Sequence, residues 1–82
     1  MEKYFCEICG KEVLKFNDGL FVKIKDKNGN LVRVTPVHKG DCDKTLFTKC
    51  FEEGLNANAS MEMSYFFTEE DRTSYLNGED LN

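Results

Sequence analysis

The sequence predicts a small α+β domain, and three observations predict it. Two stretches with apolar residues at alternate positions, Leu20–Lys25 and Leu31–Val37, flank the turn-forming run Asp26-Lys27-Asn28-Gly29-Asn30, the pattern of a β-hairpin. Leu46, Phe47, Cys50 and Phe51 then recur at helical spacing. Around these elements three cysteines and the sole histidine are spaced C-x2-C-x28-H-x3-C, at Cys6, Cys9, His38 and Cys42. The chain has 82 residues, enough for one domain, residues 1–82. A chain this short buries too little of its surface to be comfortably stable without a staple.

The elements follow in order. Lys3-Tyr4-Phe5 leads extended into a tight turn at Cys6-Glu7-Ile8-Cys9-Gly10, which points both sulfurs at one spot. Lys11–Phe16 leads out, and Asn17-Asp18-Gly19 signals a turn. In the hairpin, a two-residue Asn-Gly turn would set Ile24 opposite Arg33 and Val22 opposite Thr35, mixing apolar and polar residues on one face. A three-residue loop, Lys27-Asn28-Gly29 with Gly29 left-handed, sets Ile24 opposite Val32 and Val22 opposite Val34, and is preferred. That register gathers Phe21, Lys23, Lys25 and Arg33 on the outer face.

Pro36 is expected to end the second strand's ladder. Asp41 or Asp43 is expected to cap a helix running to about Glu53, with Gly54 at its C-terminal end. Asn56–Ser60 reads as a polar loop. Met61, Met63, Tyr65 and Phe67 alternate as in a strand. Thr68-Glu69-Glu70-Asp71 opens a short helix through Leu76 that stops at Gly78, and Glu79–Asn82 is expected to fray.

Three thiols and an imidazole are soft donors of the number and kind that a closed structural zinc site takes. Cys6, Cys9, His38 and Cys42 are the predicted ligands of one structural Zn2+, with Asp41 or Asp43 standing next should His38 not serve. In small zinc peptides the metal contributes on the order of 10 kcal/mol, which would supply the missing staple. Cys50 lies eight residues past Cys42, more than two helical turns away, and reads as a small buried apolar residue.

A Cys-x-x-Cys-Gly knuckle at Cys6–Gly10, then a hairpin, then a ligand pair entering a helix resembles the treble-clef zinc finger, in the form of a small single-zinc bacterial or phage protein. The resemblance covers a core of about residues 4–54, with 55–82 as an acidic C-terminal extension that adds a strand and a short helix. It implies that the knuckle gives two ligands and the helix's first turn at least one more. Treble clefs usually space the second pair by two residues; here there are three, an excess absorbed if His38 ends the strand. The fold hosts many functions, so it implies a metal and not an activity.

Composition narrows the function. Residues 1–50 carry ten Lys and Arg against seven Asp and Glu, a net +3, whereas residues 51–82 carry one against eight, a net −7. The overall pI near 4.9 is the wrong side for a dedicated DNA binder. If His38 holds metal, no histidine is left as a general base, and no nucleophile motif or phosphate-binding glycine loop is present. The expectation is a zinc-stabilised, non-enzymatic binding module for a protein partner, an interaction or regulatory adaptor. Its acidic segment (Glu62, Glu69, Glu70, Asp71, Glu79, Asp80) would dock on a basic surface. The alternative is weak nucleic-acid binding by Phe21, Lys23, Lys25 and Arg33, supported by Lys27, Lys39 and Lys44. Neither a membrane nor a small-molecule substrate is expected. The start shows no secretory leader, so a cytoplasmic location is expected, where cysteines stay reduced or bind metal.

Overall fold

The computed structural model describes residues 2–78. Its elements are a 3-10 turn (Phe16–Asp18), β1 (Gly19–Lys25), β2 (Leu31–His38), α1 (Asp41–Glu52), β3 (Asn56–Glu62), a second 3-10 turn (Met63–Tyr65) and α2 (Glu69–Leu76). The three strands form one antiparallel sheet in the order β2-β1-β3. Upstream, an isolated bridge between Phe5 and Glu12 closes the cysteine knuckle. Among the described residues no helix is long and apolar enough to cross a membrane.

The central strand is buried on both faces. Val22 and Ile24, with Val37 of β2, pack with Leu46 and Cys50 of α1 and with Cys6 of the knuckle. Phe21 points the other way, into Tyr4, Val13, Met63, Phe66 and Tyr75. Phe21 meets Tyr4 edge to face at a centroid distance of 5.1 Å and lies 6.1 Å from Tyr75 of α2. The molecule therefore has two cores, one on each side of a single sheet.

This double burial corrects the expected hairpin register. The loop itself is as expected: Asp26 N donates to Asn30 O, and Gly29 sits at φ +84°. Asp26 Oδ1 also accepts from the backbone N–H groups of Asn28 and Asn30, which fixes the turn. Past the first pair, Lys25 with Leu31, a bulge between Ile24 and Lys25 shifts the ladder by one residue. Ile24 then faces Arg33, and Val22 faces Thr35. Such pairing is disfavoured where one face of a sheet is dry and the other wet. Here both are covered, and the polar partners on the α1 side are satisfied by Glu7 of the knuckle. Its carboxylate accepts from Arg33 Nε at 3.2 Å, Arg33 Nη2 at 2.7 Å and Thr35 Oγ1 at 2.6 Å.

Other expectations change as well. Pro36 does not end β2: on an edge strand its missing N–H costs little, and the strand runs on to His38. Neither Asp41 nor Asp43 caps α1. Gly40 holds the N-cap position at φ 91° and ψ −122°, a conformation open to glycine, and both aspartates lie in the first turn. The other end of α1 closes as a Schellman turn, with Leu55 N donating to Cys50 O and Gly54 N to Phe51 O. Of the expected apolar stripe, Leu46 and Cys50 are buried, whereas Phe47 and Phe51 are exposed.

The largest correction concerns the third strand. Asn56–Ser60 is not a loop but most of β3; of the strand expected over Met61–Phe67 only Met61 and Glu62 pair, and Met63–Tyr65 forms the second 3-10 turn. The free edge of β1 recruits a segment of poor strand formers, because pairing partners outweigh intrinsic propensity. Met63 and Phe66 are the buried members of that stretch, while Tyr65 and Phe67 are exposed.

α2 forms as expected. Thr68 Oγ1 accepts from Asp71 N, and three acidic residues occupy the positive first turn. Its Arg72 is buried and donates through Nε and Nη2 to the two oxygens of Glu2, at 2.6 and 2.7 Å, and through Nη1 to Phe66 O. Its guanidinium carbon stands 4.3 Å from the centre of the Phe16 ring. The expected frayed end at Glu79–Asn82 lies outside the described residues, as do Glu79 and Asp80 of the acidic segment.

Candidate metal centre

Three separate elements deliver the four donors. The knuckle holds Cys6 and Cys9 through a short ladder: Val13 N donates to Tyr4 O, Cys6 N to Lys11 O, and Gly10 N to Cys6 O. The last residue of β2 is His38, and the first turn of α1 carries Cys42. Gly40 absorbs the extra residue between them by turning the chain sharply from strand into helix. Glu7 N donates to Pro36 O, which pins the knuckle alongside β2.

The donor atoms of Cys6, Cys9, His38 and Cys42 all lie within 4.8 Å of one another. Four such atoms on one tetrahedral zinc stand roughly 3.5 to 3.8 Å apart, from bonds of about 2.0 to 2.3 Å. Cys9 Sγ and His38 Nδ1 are already at 3.4 Å. The alternative ligands Asp41 and Asp43 are not part of the cluster.

The histidine is oriented from behind. Its Nε2 lies 3.3 Å from the backbone carbonyl of Glu12. A carbonyl only accepts, so a hydrogen bond there is donated by Nε2, and Nδ1 is turned toward the three sulfurs. A backbone carbonyl behind a metal-ligating imidazole is a recurrent support that fixes the ring and its tautomer. Nothing in the spacing of the ligands pointed to Glu12; only the folded knuckle brings its carbonyl there.

The thiols are unequal. Burial opposes ionisation of Cys6, but the N–H groups of Cys9, His38 and Ile8 directed at its sulfur prevail and bring it down to about 6. Cys42 is pushed up to about 12 by burial and by the sulfurs of Cys6 and Cys9. Three thiols packed this closely resist becoming three thiolates unless a cation joins them, and a divalent metal supplies that charge. Cys6 is buried within the α1-side core, whereas Cys9 is exposed. The fourth cysteine, Cys50, is fully buried between α1 and the sheet, as expected of a core residue.

Of the residues expected to share one outer face, Phe21, Lys23 and Lys25 lie on the same side of β1, but Arg33 lies on the other. Phe21 is 0% exposed. Lys23 lies on the Phe21 side, its ammonium 5.0 Å from the centre of the Tyr75 ring. Lys25 lines a shallow depression with Lys23, Gly29, Leu31 and Gly78. Arg33 is on the opposite side, bound to Glu7. Lys39 is paired with Glu62.

The chain matches no known protein-family model, no curated protein and no solved structure.

Proposed function

We propose that the chain is a treble-clef-type module built on one structural Zn2+, held by Cys6, Cys9, His38 and Cys42, and that it acts by binding another protein rather than by catalysis. The observation that carries the metal assignment is the orientation of His38: Nε2 is committed to Glu12 O, and Nδ1 faces three sulfurs. Softness favours zinc, since three thiolates and an imidazole suit it better than magnesium or calcium, which prefer oxygen. The zinc would fasten the knuckle to the start of α1, across the end of β2. Four protein donors fill a tetrahedral shell, which supports a structural rather than a catalytic metal.

A protein partner is favoured over nucleic acid by the disposition of the hairpin. Its aromatic residue is inside, its arginine is neutralised by Glu7, and the chain as a whole is acidic. The accessible acidic side chains of Glu69, Glu70 and Asp71 lie together at the start of α2, where a basic protein surface would meet them.

Native mass spectrometry of protein prepared without added metal tests the site directly. One zinc per chain is expected in the wild type and none in Cys9→Ser. A wild-type chain free of metal would overturn the assignment. Capture of partners from nuclease-treated lysate then separates the two binding readings, because a nucleic-acid bridge is lost and a protein contact is kept.

A further inference from the structure

The sheet has one edge that is guarded and one that is not. On β2 the guards are Pro36, Arg33 with its Glu7 partner, and the knuckle, which reaches Pro36 O through Glu7 N. β3 is the other edge, and its outer side pairs with no strand among the described residues. From Asn56 to Met61 it carries neither charge nor proline, the usual devices that keep an edge from pairing. Its one charged residue, Glu62, is at the end and is engaged by Lys39 of the same chain.

An apolar groove of about 310 Å3 lies immediately beside this edge, lined by Phe47, Phe51, Leu55, Asn56 and Ala57. Phe47 is 50% and Phe51 75% exposed, although both belong to a helix whose other apolar residues are in the core. The two rings stand on the flank of α1 that overlooks β3. Open backbone and exposed rings thus occur side by side, and one partner must satisfy both.

We propose that the partner is a second copy of this chain, paired antiparallel through β3 about a two-fold axis near Ala59. A two-fold perpendicular to the sheet joins the two sheets into one of six strands and keeps both α1 helices on the same face. With strands about 4.8 Å apart, the two central strands sit roughly 14 Å from each other across the axis. Helices lying above them, with axes likewise roughly 14 Å apart, stand wider than the roughly 8 to 10 Å of directly packed helices, which leaves room for large side chains between them. Phe47 and Phe51 of both copies occupy it. The contact is self-complementary, as a closed dimer requires. The middle of the strand is uncharged, so no like charges are opposed there.

The two rings expose on the order of 250 Å2 per copy. With the strand edge this stays toward the lower end of the roughly 800 Å2 per partner of stable complexes. A contact of this size belongs with weak, transient associations.

Sedimentation equilibrium of the zinc-loaded full chain, from micromolar to millimolar concentration, reads the association. Hydrogen exchange at low and high concentration locates it. The wild type should dimerise reversibly, with β3 amides gaining protection as concentration rises. Phe51→Glu should weaken the dimer by roughly tenfold to a hundredfold. Ser60→Lys, which places a charge on the strand without touching the rings, should also weaken it, and circular dichroism and zinc content should be unchanged in both. A wild type that stays monomeric throughout overturns the proposal, even if it captures a foreign extended peptide at β3. So does a dimer that forms without protecting β3, or one that both variants leave intact.

Discussion

On one side of β1, α1 rests on small side chains and is tied at its first turn to the cysteine knuckle; on the other, α2 rests on aromatic rings and is tied by an ion pair to Glu2. The α1-side core consists of Cys6, Val22, Ile24, Val37, Leu46 and Cys50, without a single ring. The α2-side core has Tyr4, Phe21, Phe66 and Tyr75 among its six buried members. An aromatic ring removes about 150 to 250 Å2 from water, more than a valine or cysteine offers. The side poorer in apolar area is the one that carries the metal donors. The same sheet thus carries a cluster of candidate metal donors on one face and a larger aromatic packing on the other.

Removing the proposed zinc should break this comparison most severely. A chelator strong enough to strip zinc, or Cys6→Ser, should cost on the order of 10 kcal/mol on the α1 side. Thermal melting should show the loss. Hydrogen exchange should show α1 and the end of β2 opening first, while Phe21 and Tyr75 keep their near-ultraviolet aromatic signal longest. Simultaneous loss of both signals would mean that the two faces fold as one unit and not as two.

A smaller effect belongs to the other tie. Arg72→Met should cost about 3 kcal/mol, because it leaves the Glu2 carboxylate without its partner in a mostly covered position. Zinc content should not change. The Arg72 guanidinium, against some opposition from burial, holds the Glu2 carboxyl below its ordinary range. This pair's contribution is therefore complete above pH about 4.5 and lost as pH falls through the lowered value. In Arg72→Met that part of the acid dependence should vanish, which urea melts at stepped pH can follow. The smallest effect sharpens the same side: Thr68→Ala, which removes the α2 cap, should cost about 1 kcal/mol by denaturant titration.

The features legible in the sequence were those whose residues lie close together or bear a distinctive chemistry. The cysteines and His38 announce their common purpose by type and spacing, and Thr68 with its acidic followers announces α2. The hairpin loop was legible, but its register was not. A bulge leaves no mark in composition, and the alternation of Leu20, Val22 and Ile24 hides that Phe21, on the other face, is buried too. β3 was hidden because Asn, Ala and Ser are indifferent strand formers that became a strand through pairing with β1. Glu2 and Arg72 are seventy positions apart, and no local pattern joins them. The carbonyl of Glu12 behind His38 was invisible for a different reason: backbone atoms have no letter in a sequence.

The order of the elements along the chain sets an order of events during synthesis. All four metal donors lie within residues 6–42, and the helix they anchor is finished by Glu52. The rings that cover Phe21 from the far side, Phe66 and Tyr75, come afterwards, as does the strand that occupies the second edge of β1. Chains emerge from the ribosome N-terminus first. A nascent chain can therefore bring the four donors together while the other face still shows a bare phenylalanine and an open strand edge. During that interval the half-made sheet exposes both apolar surface and an unpaired edge, the features that make folding intermediates adhesive.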